Sequence, residues 1–247
     1  MIDKDNLQKT RFSERRFFST SGLKIIAALA MLLSHLAQTN LLYGLGYIRL
    51  ADSFMLIGRI AMPIFSFLLV QGIIFTSDVK KYLARLLIFA FISEIFYDLA
   101  FSDMAFDFTS QNVFFTLFLG GLMLSIWQWA RKMNKPIEIF LIGISFVCIS
   151  FIAIAIKCDY DYRVITAIGL LYFARNSKIM TGLAIFLSFA FSRFTRGYEL
   201  YIPYIVYLSI PFISLYNGQK GRSSKWGFYI FYPAHLLIIY ILKIILL

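Results

Sequence analysis

Along its length the chain alternates long apolar runs with short polar junctions. With a window of about 20 mostly apolar residues for each bilayer crossing, the pattern predicts nine helical spans. They lie near 23–42, 54–76, 82–101, 112–130, 137–156, 162–175, 179–194, 200–217 and 226–246. The sixth and seventh are short and read equally as a re-entrant pair or half-spans, whose backbone still needs partners in helix or neighbouring protein. Because they come as a pair, dropping both leaves the orientation of every other span unchanged, and seven to ten spans fit the pattern. No internal repeat or low-complexity tract interrupts it. The expected fold is an all-α polytopic membrane bundle: a basic cytoplasmic segment over residues 1–22, then a single integral-membrane domain over 23–247.

Composition sharpens this picture. Hydrophobic residues make up 60% of the 247 and charged residues only 15%, with a mean hydropathy of +0.76; ordinary soluble domains are about 45–50% apolar and about 25% charged. The net charge of +11 would raise the question of nucleic acid in a soluble protein. Here the basic residues sit in clusters between apolar runs, as topology signals do, so nucleic-acid binding is not expected. With the N-terminus inside, one face receives Lys4, Lys9, Arg11, Arg15, Arg16, Lys24, Lys80, Lys81, Arg85, Arg131, Lys132, Lys135, Arg175, Lys178, Lys220, Arg222 and Lys225, which is 17 of the 24 Lys and Arg. The other receives Arg49, Arg59, Lys157, Arg163, Arg193, Arg196 and Lys243, with most of the acids. The expected orientation is N-terminus cytoplasmic and C-terminus outside. The first ~20 residues are too polar for a cleavable signal peptide, so the first run is expected to act as both signal and anchor. Cys148 and Cys158 make neither a disulfide framework nor a metal motif.

Polar groups retained inside the spans carry the functional reading, since a charge at mid-membrane costs about 2.5–3.5 kcal/mol on insertion scales. His35 lies in the outer half of span 1, Arg59 near the outer end of span 2, and Glu94 and Asp98 in the outer half of span 3. Asn112 and Thr116 open span 4, Asp159 follows span 5, and His235 lies near the middle of span 9, three residues after Tyr232. Glu94 and Asp98 are four apart, so both carboxylates share one helix face and can meet one cation, Arg59 being the candidate. Ala27, Ala30 and Ser34 form a small-residue strip that lets another helix approach beside the histidine. The Asp103/Asp107 loop reads as solvated surface and the Phe-rich runs as packing. An imidazole of near-neutral pKa suits a general base for acyl transfer, and a cation can hold an anion or stabilise an oxyanion. A proton-coupled transporter would use nearly the same groups, so both classes stay open on these residues alone.

The segments "LKIIAALAMLLSHL", "GRIAMPIFSFLLVQG", "KKYLARLLIFAFISEIFYDLAF", "NVFFTLFLGG", "CDY" and "FYIFYPAHLL" occur in an order that resembles the TraX family. That family is named for the conjugative-pilus protein that acetylates the N-terminus of pilin, and it is related to the larger membrane acyltransferase superfamily. The resemblance covers nearly the whole chain after the basic N-terminus. It implies a multi-pass protein of the bacterial plasma membrane, with cytoplasmic acetyl-CoA as co-substrate, no metal, and an acceptor protein N-terminus or envelope glycan reached from outside. It also implies His35 as the catalytic group, with Arg59 and His235 carried over beside it. The expected site therefore has His35 as general base, Arg59 and the Glu94/Asp98 face organising it, His235 as support or acid, and Ser34, Asn112, Thr116, Asp159, Tyr160 and Tyr232 near the substrate. The coenzyme's phosphates need cations on the cytoplasmic face: Lys80, Lys81 and Arg85, or Lys220, Arg222 and Lys225. Three positions depart from the family pattern. Ser34 stands where an aspartate usually precedes the first histidine, Phe96 where a proline is usual, and Asp161 where glycine usually follows "DY". Without that aspartate, the expected partner of His35 is Ser34 or a carboxylate from another helix, Glu94 or Asp98. The rival reading is a small-solute transporter or a non-enzymatic membrane subunit.

Overall fold

The computed structural model describes residues 17–191, 203–222 and 226–247. Of the Lys and Arg in the charge count, Lys4, Lys9, Arg11, Arg15, Arg16, Arg193, Arg196 and Lys225 lie outside these, as does most of the 1–22 segment. Among the described residues the chain is helical and has no strand, only two isolated bridges, Phe18–Tyr216 and Gln111–Cys158. The helices are α1 (Thr20–Gln38), α2 (Leu41–Gly44), α3 (Ile48–Gly58), α4 (Ala61–Phe75), α5 (Val79–Ser102), α6 (Val113–Ala130), α7 (Lys135–Ala155), α8 (Asp161–Ala174), α9 (Lys178–Phe191), α10 (Ser209–Ser214) and α11 (Gly227–Leu246), with a 3₁₀ turn at Pro203–Leu208.

Local chemistry sets the helix starts. The side chains of Ser19, Asp78, Asn112 and Asn134 each accept a backbone N–H from the first turn of the helix that follows, satisfying donors that have no intrahelical partner. The expected span 54–76 starts earlier and is broken. α3 and α4 together run from Ile48 to Phe75, interrupted at Arg59–Ile60. Pro63 explains the break, because its ring cannot donate to the Arg59 carbonyl four residues back and crowds it. Phe96, where a proline was the family expectation, lets α5 run unbroken through 24 residues, about 36 Å.

Five segments are long and apolar enough to cross a membrane: Thr20–Gln38, Ile48–Phe75, Val113–Ala130, Lys135–Ala155 and Gly227–Leu246. α5 matches them in length but carries Lys80, Lys81, Arg85, Glu94 and Asp98. α8 and α9 have 14 residues each, and the expected eighth span is a 3₁₀ turn followed by the six-residue α10. Burial shows how so short a helix as α8 sits at depth: Val164, Ile165, Ala167 and Ile168 are fully buried among their neighbours. By contrast α7 exposes Ile139, Phe140, Val147 and Phe151 to 61–70%. An apolar surface of that kind belongs against hydrocarbon, and the chain is a membrane protein.

The two ends of the bundle differ in charge. At the basic end, Thr20 and Ser21 donate backbone N–H groups to the carbonyls of Gln219 and Lys220, gathering the start of α1 with Lys24 and Lys220. At the acidic end, Lys243 on α11 meets Asp103 at 2.7 Å, and the 103–112 loop pairs with the α7–α8 junction through Gln111 N–H to the Lys157 carbonyl.

The expected small-residue strip on α1 meets α3 at Gly58. A Cβ at Gly58 would lie 2.2 Å from Ser34 Cβ and 3.2 Å from the Ala30 carbonyl, and neither is a flexible end. Gly58→Ala is expected to destabilise the protein by about 1–3 kcal/mol through overpacking. Thermal unfolding in detergent reads this, and Ser34→Gly in the same chain should recover most of the loss; a Gly58→Ala protein as stable as wild type would contradict the close crossing.

Candidate active site

His35 on the last turn of α1 and His235, two turns into α11, come together in the interior, 9% and 4% exposed. His35 Nδ1 lies 2.8 Å from His235 Nε2, and the two rings meet edge to edge and nearly coplanar, with 5.0 Å between centroids and 11° between planes. His235 Nδ1 in turn lies 2.8 Å from the Phe231 carbonyl. Aromatic rings enclose the pair. Phe101 from α5 packs edge-on to His35, Phe231 stacks on His235 at 4.9 Å, and Tyr232 meets both imidazoles edge-on at 6.0 and 5.4 Å.

This corrects the expected partner of His35, which is neither Ser34 nor a carboxylate. The Ser34 hydroxyl accepts from Gln38 Nε2 and packs against Gly58, on a different face of α1. Nor do Glu94 and Asp98 converge on Arg59. Glu94 Oε2 accepts from both the backbone N–H and the side-chain amide of Asn112, and Asp98 Oδ2 accepts from the Asp107 N–H at 2.9 Å. The carboxylates therefore anchor the loop from α5 to α6. Their other oxygens, Glu94 Oε1 and Asp98 Oδ1, are buried without a hydrogen-bond partner, which leaves two acceptor positions for an incoming donor.

Arg59 sits at the α3–α4 break and acts on the Tyr160 phenol, which burial first and the Asp159 charge second push up and the guanidinium draws down. Thr116 donates to the Asp159 carbonyl at 2.6 Å. Asp161, at the position where glycine was the family expectation, has φ +44°, a left-handed conformation that glycine takes freely and aspartate tolerates. In the loop, hydrogen bonds from Ser102 and Thr109 hold the Asp107 carboxyl below the usual carboxylate range. It is thus a fixed negative charge at the acidic end.

A cavity of about 650 Å³ opens at the basic end and runs between α1, α4, α5, α6 and α11. Its mouth carries four cations, Lys24, Lys81, Arg85 and Lys220, against one acid, Asp78. Asp78 is already committed, since the Lys81 backbone N–H and side chain hold it below the usual carboxylate range. Arg85 Nε is buried without a hydrogen-bond partner. Deeper, the walls turn aromatic, and the cavity ends on Phe114, Phe231 and Tyr232, the rings that pack on the histidine pair or on each other.

Of the cations expected to serve a phosphate, Lys81, Arg85 and Lys220 line this cavity; Lys80 is exposed and Lys80 and Arg222 are not among its lining residues. Lys24 also lines it. Its place in a basic cluster marks it as a topology signal, but a lysine one turn inside an apolar helix is itself an intramembrane cation. Gln71, mid-way along an apolar run and 7% exposed, is a further lining residue, and its only signal in the sequence is a lone amide within that run.

Comparison with known proteins agrees on one lineage. A family model described as TraX protein matches residues 19–243. The Probable fimbrial assembly protein FimC, serogroup H1, of Dichelobacter nodosus is 32% identical over 239 residues, covering 89% of this chain and 93% of that protein. No solved structure matches.

Proposed function

The chain belongs to the TraX family, and from that premise we propose that it is an integral-membrane acetyltransferase. It takes acetyl-CoA from the cytoplasm and passes the acetyl group to a protein amine or an envelope glycan hydroxyl. The observation that carries this reading is the cavity: a basic mouth, an aromatic interior, and an inner end one ring away from a buried pair of imidazoles. Four cations stand against one acid, Asp78, which Lys81 already engages, and the excess positive charge is offset when an anion joins them. An orphaned guanidinium nitrogen at Arg85 is the kind of donor that a phosphate fills. The volume lies in the range of small-molecule sites, about 300–1,000 Å³.

The excess of Lys and Arg on the face shared with the N-terminus supports placing the basic end in the cytoplasm. On that orientation the acidic end faces the outside of a bacterial plasma membrane. There Glu94 Oε1 and Asp98 Oδ1 offer acceptors to an amine or hydroxyl. His35 removes the acceptor's N–H or O–H proton as that atom bonds to the acetyl carbonyl carbon. The carbon–sulfur bond then breaks, and the coenzyme thiolate takes the proton from the imidazolium. The description of the Dichelobacter relative as a fimbrial assembly protein supports a protein acceptor.

The test uses purified full-length protein in detergent with acetyl-labelled acetyl-CoA. Release of coenzyme or transfer of label is expected. The Lys24→Gln, Lys220→Gln double variant is expected to raise KM for acetyl-CoA about tenfold, one lost charge contact at a time, with kcat little changed. Wild-type protein that neither binds nor turns over acetyl-CoA would overturn the reading in favour of a non-enzymatic subunit or a transporter.

A further inference from the structure

Among the described side chains, the two histidines form a directed chain of hydrogen bonds whose direction is fixed at one end. A carbonyl oxygen can only accept, so at 2.8 Å from the Phe231 carbonyl it is His235 Nδ1 that carries the proton and donates. A neutral imidazole protonated on Nδ1 has its lone pair on Nε2. That lone pair faces His35 Nδ1 at 2.8 Å, so His35 Nδ1–H is the donor of the second bond. The consequence falls on the far side of the His35 ring: its Nε2 is left unprotonated and able to take a proton.

We propose that His235 is the positioning residue of the reaction, accepting the Nδ1–H of His35 and so holding that imidazole in the one tautomer whose Nε2 is a base. This deepens the acetyltransferase reading and rests on it. The imidazole of a histidine by itself favours a proton on Nε2, the tautomer in which that atom cannot act as a base, so a base at Nε2 needs an acceptor at Nδ1. A carboxylate beside the histidine would serve. In this chain Ser34 is turned toward Gln38 and Gly58, and Glu94 and Asp98 are engaged with Asn112 and Asp107. His235 is the acceptor the fold supplies.

Two further contacts keep the pair in register. Phe231 stacks on His235 and is also the residue whose carbonyl fixes its tautomer, so one residue of α11 sets both the tilt and the proton of the ring. On the other side Phe101 closes on His35 at 5.4 Å. When the acceptor's proton reaches His35 Nε2, the imidazolium still donates Nδ1–H to a neutral ring. The positive charge thus strengthens the bond that orients it.

The chain has only two histidines, which makes the tautomer directly readable. In full-length protein labelled with ¹⁵N-histidine, the spectrum of wild type is expected to show His35 protonated on Nδ1 and bare on Nε2. In His235→Phe, which keeps a ring and removes the acceptor, His35 should move to the Nε2–H tautomer. In that variant kcat should fall on the order of 10²-fold or more, as a wrongly held imidazole tautomer does in other enzymes, while KM for acetyl-CoA stays within about twofold. His235→Gln, whose Oε1 can accept from His35 Nδ1–H, is expected to return kcat to within about tenfold of wild type. A wild-type spectrum with the proton on His35 Nε2, or full kcat in His235→Phe, would overturn the proposal. Absence of turnover in wild type would remove the acetyltransferase reading by itself, and the spectrum would still decide the tautomer.

Discussion

Acetyl transfer by a His35→Asn protein is expected to fall by about 10³-fold, within the 10²–10⁴ range that a positioned base contributes, with KM for acetyl-CoA nearly unchanged. Asparagine is the informative replacement because its amide nitrogen stands near the place of Nδ1 and can still donate to His235 Nε2, while nothing replaces Nε2. Alanine would remove both and leave His235 Nε2 without its partner in the interior, a loss of about 1–3 kcal/mol that would confuse a defect in folding with one in chemistry. KM should hold because the cations that would bind the coenzyme lie at the cavity mouth and His35 is not among the lining residues. Steady-state kinetics beside a thermal unfolding curve separates the two effects. A His35→Asn protein that keeps activity within tenfold of wild type would remove His35 from the reaction, and the cavity would then need another base.

Hydropathy made the helices legible because each buries or exposes a stretch the length of a bilayer, and a window of that size detects it. Seven of the expected spans coincide with described helices to within a few residues, although only five of the structure's segments meet the length and composition of a membrane crossing. What hydropathy missed were events shorter than the window: the break that Pro63 imposes at Arg59, and the 3₁₀ turn before α10. The site was half legible for the same kind of reason. Depth along a span follows from counting residues, so His35 and His235 could be placed at comparable levels. Azimuth around the bundle depends on which helices touch, and no pattern in one sequence reports that. The expectation that Glu94 or Asp98 serves His35 fails in azimuth, because the carboxylates turn toward the loop they anchor. Lys24 and Lys220, 196 positions apart by their numbers, reach one cavity mouth through the pairing of Thr20 and Ser21 with Gln219 and Lys220; in the sequence nothing joins the two clusters, and Lys24 reads only as topology.

The Asn112→Leu protein is expected to lose about 2–4 kcal/mol of stability, several buried partners being orphaned at once. Asn112 is fully buried at the start of α6. Its amide donates to the Ala90 carbonyl at 2.8 Å and to Glu94 Oε2, its carbonyl oxygen accepts the Phe114 N–H at 2.9 Å, and its backbone N–H also reaches Glu94 Oε2 at 3.1 Å. One side chain thus caps α6, ties it to α5 and supplies half of the hydrogen bonds that hold the Glu94 carboxyl. Leucine has similar bulk but leaves the Phe114 N–H uncapped and Glu94 with a single donor in surroundings that exclude water. Asn112→Asp would keep the cap yet set a second carboxylate against the first, and is expected to be destabilised as well. Replacing both ends, Asn112→Leu with Glu94→Met, should recover part of the loss, since an apolar pair leaves fewer orphaned groups than a severed polar one. Unfolding in detergent measures all three. An Asn112→Leu protein within 1 kcal/mol of wild type would mean that the α5–α6 junction is held by packing alone, and that Glu94 does not depend on Asn112 for its position at the acidic end.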